Sequence, residues 1–285
     1  MKKTVVIDGK DVELTNLTKM FWPDDNITKA DFIDYHAKVA PYILPHLKGR
    51  PLVFTRYPDG IHGKSFYQKN IPEYAPDWLN TYESLSDDVK IIRYMLIDDT
   101  ASLIWAANQA SLEFHPWLST IDSPEYPDFA VFDFDPMEKT DFEDARRLAL
   151  ALRNLLELQG ISGYPKTSGA TGLQVYVPIE PIYTYEQVRN FVKVFCRALE
   201  ETFPSMATTE RNIKKRQGKI YLDYLQNIKG KTIIAPYSTR PRKGAPVSCP
   251  VSWEELEQGA NPSMFHLRNM PKRLEQKGDL FRNAL

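Results

Sequence analysis

The segment FAVFDFDP, residues 129 to 136, most narrows what this chain can fold into. Four apolar residues run up to Asp133, Phe134 separates it from Asp135, and Pro136, which has no N–H for a sheet ladder, closes the segment. The pattern predicts a buried strand from Phe129 to Phe134 with both aspartates at its rim. Side chains two apart on a strand point to one face, so the two carboxylates stand together. Left unpaired beside aromatic neighbours they repel, and burying either without a counter-charge costs several kcal/mol. A hard divalent cation answers that problem with oxygen ligands. With 20 Asp in 285 positions, chance alone supplies roughly 1.4 D-x-D matches, so the strand context carries more weight than the pattern.

A chain of 285 residues with 42% hydrophobic and 26% charged residues is long enough for a sizeable core and too apolar to be largely disordered. No repeat, low-complexity tract or Gly/Ser linker divides it, so one interlocked domain over residues 1–285 is expected. Within it the N-terminal part covers about 1–110, a central core about 111–245 and a helical C-terminal segment about 251–285. Asp8-Gly9 predicts a hairpin turn. Thr28 predicts an N-cap for a helix that buries Phe32, Ile33, Tyr35 and Val39 and breaks near Pro41. Strands are expected at Pro51–Tyr57, Lys90–Ile97, Tyr164–Thr167, Leu173–Pro178, Lys219–Leu225 and Thr232–Ala235. Asp99 caps a helix through Trp105, Asp141–Leu158 is helical with Gly160 behind it, and Thr184/Gln187 and Ser252/Glu255 form capping boxes. The fold class is therefore α+β, with largely antiparallel sheet flanked by helices. Two cysteines, Cys196 and Cys249, supply no disulfide framework and point to a reducing cytoplasm. No segment reads as a membrane span.

Charge is unevenly spread. Glu73 to Asp144 holds 17 acidic and 3 basic residues, whereas Glu210 to Lys243 holds 10 basic and 2 acidic. The basic stretch brackets IYLDYLQN, residues 220 to 227, in which Asp223 is either an outward-facing residue or a charge placed for a ligand. Arg211, Lys214, Lys215, Arg216 and Lys219 precede it, and Arg240 and Arg242 follow. With Asp133 and Asp135, Asp223 would give a two-cation site for phosphoryl transfer. KTSGATGLQVYVPI, residues 166 to 179, places Gly169 and Gly172 with Ser168 and Thr171 between two strands, as a phosphate-binding turn or as a plain hairpin.

In order and spacing, LTNLTKMFWPDDNITKADFIDYH, RYPDG, FYQKN, EFHPW, DFDP, SGATGL, YLDYLQN, APYSTR and FHLRNMPKRL resemble the polymerase domain of bacterial ligase D, a branch of the archaeo-eukaryotic primase superfamily used in non-homologous end joining. The resemblance covers nearly the whole chain. It implies a primase-like core in which Asp133, Asp135 and Asp223 bind two divalent cations, Mn²⁺ favoured or Mg²⁺. One ion is held by all three carboxylates and the other by Asp133 and Asp135. It assigns Ser168, Thr171, Gly172 and Gln174 to the triphosphate loop, His115, Arg240 and Arg242 to the nucleotide, and Arg216 to a loop at the primer terminus. Asn16, Lys19 and Lys29 match a pocket for a downstream 5′-phosphate, and Phe66 and Tyr67 match aromatics against the template. The implied substrates are NTPs or dNTPs and DNA with gaps or broken ends, with Ku and a separate DNA ligase as partners and a cytoplasmic, nucleoid-associated setting. De novo priming and non-catalytic end bridging are the alternatives.

Two departures stand out. Relatives often carry Lys and His where this chain has Thr171 and Gln174, which removes one cation contact to the triphosphate. Thr55 stands before Arg56 where relatives often have Lys, which leaves one fewer charge expected at the 5′-phosphate pocket. Neither ligase nor nuclease sequence accompanies these motifs, so a stand-alone polymerase or a domain of a longer ligase is expected.

Overall fold

A computed structural model describes residues 2–85 and 90–285. The chain opens on the expected hairpin, β1 (Lys2–Ile7) against β2 (Lys10–Thr15), with Asp8 and Gly9 both at positive φ as a type I′ turn requires. A ribbon of β3 (Met20–Trp22) and β4 (Ile27–Thr28) leads into α1 (Lys29–Leu47), and Thr28 and Asp31 close its capping box. The helix does not break at Pro41. Pro41 and Pro45 are four residues apart and both exposed, so the carbonyls they leave without partners face water, while Val39, Ala40, Ile43 and Leu47 pack the other face.

Strands β5 (Leu52–Arg56), β6 (Phe66–Gln68), β7 (Thr81–Leu85) and β8 (Ile91–Met95) follow, then α2 (Thr100–Asn108), capped by Asp99, and β9 (Ser111–Pro116). These strands form one sheet, in which β5 pairs with β6, β8 and β9, and β7 with β8.

The second sheet is built on β10 (Phe129–Asp135), with α3 (Phe142–Glu157), β11 (Tyr164–Thr167), β12 (Leu173–Pro178), α4 (Tyr185–Thr202), β13 (Ala207–Thr208) and β14 (Ile220–Leu222) after it. Its order is β11-β12-β10-β14-β13, and every pair except β13 with β14 is antiparallel. The period of two divides β10 cleanly. Ala130, Phe132 and Phe134 face α3 and α4, and Phe132 meets the rings of Phe191 and Phe195. Phe129 and Val131 face the other way, with Tyr176 and Phe281, and Asp133 and Asp135 continue that face. Short helices α5 (Trp253–Glu257), which begins at the Ser252/Glu255 capping box, and α6 (Met270–Lys277) close the chain. One cluster of buried side chains runs from Val12 through Phe114 and Phe134 to Leu274.

Two expected strands are corrected. Lys219–Leu225 shrinks to Ile220–Leu222 because the Asp223 carboxylate accepts the Leu225 N–H and starts a 3₁₀ turn. Thr232–Ala235 forms a single bridge, Thr232 with Trp117, plus two backbone bonds to β9; Pro236 and the positive φ of Tyr237 then turn the chain away.

Candidate active site

Asp133 lies directly opposite Gln174 on β12, and Asp135 opposite Tyr221 on β14. Burial, with the carboxylate of Asp135 beside it, pushes Asp133 well above the usual carboxyl range. Burial and Asp223 likewise raise Asp135 to about 6, against the nearby charges of Arg216 and Arg240. Oxygen donors crowded by like charge suit a divalent cation. Asp223 is their neighbour in the sheet, its N–H donating to the Asp133 carbonyl at 3.0 Å. Its side chain is engaged elsewhere: Oδ1 accepts from the Leu225 N–H at 3.0 Å and from the Tyr221 hydroxyl at 3.1 Å. Among the described residues no three ligating side chains therefore close on a common point. The donor set fits a divalent cation in kind, with one oxygen of the third carboxylate already engaged.

The glycine turn joins β11 to β12 beside these carboxylates. Ser168 Oγ accepts from the N–H groups of Ala170 at 3.2 Å and Gly172 at 3.0 Å, so the turn closes around that hydroxyl. Both glycines are required by close approach. A Cβ on Gly172 would lie 2.7 Å from the Phe134 carbonyl and 3.5 Å from Asp135 Oδ1, and one on Gly169, at φ +72°, would lie 2.8 Å from Arg240 Cγ. The turn thus touches the carboxylates on one side and Arg240 on the other. Thr171 and Arg242 are exposed.

Arg240 is tied back by Glu113, which opens the EFHPW motif without a role assigned from the sequence: Nε lies 3.1 Å from Glu113 Oε1, and the other carboxylate oxygen lies 3.5 Å from His115 Nε2. Burial works against the Glu113 charge, but the His115 hydrogen bond and Arg240 outweigh it and hold the carboxyl below its usual range. Burial lowers His115 despite Glu113, so its imidazole is neutral at neutral pH. Arg216 stacks on Tyr221, its guanidinium carbon 3.5 Å from the ring centroid, and donates to the carbonyls of Glu210 at 2.9 Å and Arg211 at 3.1 Å. This guanidinium is fixed over the ring whose hydroxyl holds Asp223.

A second cleft, of about 200 Å³, opens on the opposite face of β5, lined by Asn16, Lys19, Lys29 and Arg56 and by no acidic residue. Lys29, at the first position of α1, is 4% exposed and donates to Thr15 Oγ1 at 3.2 Å. Burial, then the charges of Lys19 and Arg56, lower its ammonium to about 8. Lys19 leans out to Asp59 at 2.6 Å. Three cations gathered at one cleft make an anion site, and the helix N-terminus adds to it.

Comparison with known proteins bears on this pair of sites. Residues 28–281 match the family model described as LigD, primase-polymerase domain. The chain belongs to that family. Its members are nucleotidyltransferase domains, and the mixed α+β architecture is theirs. Over 277 residues the chain is 39% identical to the bifunctional non-homologous end joining protein LigD of Bacillus subtilis, covering 95% of this chain and 44% of that protein. Against the multifunctional LigD of Mycolicibacterium smegmatis it is 34% identical over 273 residues, covering 94% of this chain and 35% of that protein. The chain thus spans less than half the length of these relatives. The polymerase domain of Mycobacterium tuberculosis ligase D, solved in complex with DNA, superposes with a TM-score of 0.89 at 32% identity, covering 96% of this chain and 97% of that one. No helix among the described residues is long and apolar enough to cross a membrane.

Within this LigD family frame the departures acquire positions. Thr55 does not line the basic cleft. Its Oγ1 lies 3.4 Å from His115 Nε2, because alternation along β5 sends Arg56 to one face and Thr55 to the other. The same alternation splits the aromatic pair on the edge strand β6. Arg56 lies over Phe66, 5.3 Å from the centroid, while Tyr67 meets the His115 ring at 5.8 Å. They do not form one platform. Gln174, Thr171's partner in departure, is buried beneath the carboxylates, where its Nε2 donates to Asp133 Oδ1 at 3.1 Å.

Proposed function

We propose that this chain is a template-dependent nucleotidyltransferase that extends primers and fills gaps at DNA ends in non-homologous end joining. Residues 1–285 would act as one catalytic unit on NTPs or dNTPs. The observation that carries this reading is the close approach of the glycine turn to Asp135 at Gly172 and to Arg240 at Gly169, which lays the turn between paired carboxylates and a guanidinium. Family membership and the likeness to a polymerase domain solved with DNA support it.

Asp133, Asp135 and Asp223 would hold two divalent cations, Mn²⁺ favoured or Mg²⁺, as expected for a family whose polymerase domains are metal-dependent. When bound, such ions lower the pKa of the attacking 3′-hydroxyl and neutralise charge on the phosphates. The protein's own groups then do the positioning. Ser168, exposed Thr171 and the turn's backbone receive the triphosphate tail, Arg240 and Arg242 grip it, and neutral His115 offers a hydrogen bond without adding charge. Gln174 acts on Asp133 rather than on the nucleotide. Arg216, stacked on Tyr221, braces the primer side, and Tyr67 faces the templated nucleotide.

Asn16, Lys19 and Lys29, with Arg56, would receive the 5′-phosphate of the downstream strand on the far face of β5. In the cell the substrate would be bacterial DNA with gaps or broken ends, with Ku and a DNA ligase as partners in the nucleoid. Extension of a radiolabelled primer, run with and without primer and with gapped or blunt DNA, tests the proposal. Primer-dependent, templated addition is expected; product without primer would mean a primase, and none under any condition a bridging module.

A further inference from the structure

Three side chains form a straight row across the second sheet. Asp133 on β10 faces Gln174 on β12, and Gln174 faces Lys166 on β11. Lys166 has no exposed surface, so it touches neither nucleotide nor DNA, and nothing in the family motifs singled it out. Its ammonium donates to Ser248 Oγ at 2.7 Å and to Gln174 Oε1. Ser248 in turn donates its proton to the Thr167 carbonyl at 3.0 Å, so towards Lys166 the hydroxyl only accepts.

A side-chain amide has an oxygen end and an NH₂ end, and which one meets Asp133 depends on what holds the other. An ammonium has donors only. It therefore captures Gln174 Oε1 and turns the NH₂ towards Asp133, whose Oδ1 accepts it at 3.1 Å. Burial lowers Lys166 to about 7, with the Asp133 charge working against it. With Lys166 protonated and Asp133 ionised, as cation binding at Asp133 requires, the reversed amide would set an oxygen against a carboxylate and an NH₂ against an ammonium, both repulsive.

We infer that Lys166 is a positioning residue for the carboxylate site: through Gln174 it fixes Oδ1 of Asp133 and leaves the other oxygen to a divalent cation. This rests on the reading of Asp133 as a cation ligand. It also gives Gln174 a role that does not involve the triphosphate. Partners that orient metal ligands in this way typically contribute tenfold or more to metal affinity.

The sign of the effect separates positioning from bare charge. If Lys166 were only a buried positive charge near the site, removing it would tighten cation binding; if it orients the site, removing it weakens binding. Calorimetric titration with Mn²⁺ alone should show Lys166→Met and Gln174→Leu each weakening affinity by about tenfold, and the double variant no weaker than the worse single, because both break one relay. Unchanged or tighter binding by Lys166→Met, or losses that multiply in the double variant, would overturn the inference while leaving the carboxylate site standing. A wild-type chain that takes up no Mn²⁺ would remove that site and the inference with it. Should circular dichroism show Lys166→Met unfolded, Ser248→Ala keeps Lys166 and Gln174 but loosens the ammonium; binding about threefold weaker is expected, and wild-type affinity would count against the relay.

Discussion

The Tyr221 hydroxyl donates to Asp223 Oδ1 at 3.1 Å and so occupies one oxygen of the third carboxylate. Tyr221→Phe keeps the ring on which Arg216 stacks and removes only that bond. Freed of about 1 kcal/mol of restraint, Asp223 should reach a cation more readily, lowering the Mn²⁺ concentration for half-maximal extension roughly fivefold. Asp223→Ala and Asp135→Ala should abolish extension and leave DNA affinity nearly intact. Extension that survives either alanine variant would end the two-ion assignment.

The basic cleft makes a prediction with a pH sign. Lys29 is lowered to about 8, so it is charged below that pH and loses its proton above it. A terminal phosphate is a dianion above about pH 6. The preference of gapped DNA binding for a 5′-phosphate over a 5′-hydroxyl should therefore be greatest between about 6 and 8 and shrink as pH rises further. At pH 7, Lys29→Ala should cost about 1.5 to 3 kcal/mol of that preference, tenfold or more in the ratio of dissociation constants. Fluorescence anisotropy with the two DNAs at pH 7 and pH 9 provides the check, and equal affinity for both at pH 7 would remove the pocket.

The split between Phe66 and Tyr67 should be visible in kinetics. Phe66→Ala takes away the ring under Arg56 and should reduce the 5′-phosphate preference by about 0.5 to 1 kcal/mol. Tyr67→Ala should instead raise the KM for the templated nucleotide and leave that preference alone. The same phenotype in both variants would restore a shared template platform.

Arg240→Ala should raise nucleotide KM about tenfold or more with little change in duplex binding. Glu113→Gln should act in the same direction but more weakly, since it removes the carboxylate 3.1 Å from Arg240 Nε and leaves the arginine present. An unchanged KM in Arg240→Ala would place that guanidinium on the DNA or on a surface without a ligand.

The strand bearing Asp133 and Asp135 could be read from its apolar run and closing proline, and the Thr28 and Thr184 caps from local chemistry, because each depends on residues within a few positions of one another. Helix α1 could not be read past Pro41, because what keeps it intact is a tertiary surface under Val39, Ile43 and Leu47. The same distinction runs through the site. Motif residues sit where neighbouring strands carry them, but the Lys166 relay joins β11, β12, β10 and Ser248 and leaves no local pattern, and Glu113, two residues from His115 in EFHPW, meets Arg240 only in the fold. Thr55 falls outside the basic cleft because that cleft belongs to Arg56, one residue and therefore one face of β5 away.

Asp133 and Asp135 extend a strand whose opposite face is sealed by α3 and α4, so the sheet cannot relax their repulsion by moving apart without opening its own core. The folded chain must bear that repulsion or bind something that cancels it. A cation that binds the native carboxylates and not the unfolded chain adds RT ln(1 + [M]/Kd) to the unfolding free energy, roughly 2.7 kcal/mol at a hundredfold excess over Kd. The temperature at which this protein melts should accordingly rise with Mn²⁺ and fall with chelator, which makes the reagent of its chemistry also a reagent of its folding, and ties the lifetime of the chain to the metal supply around it.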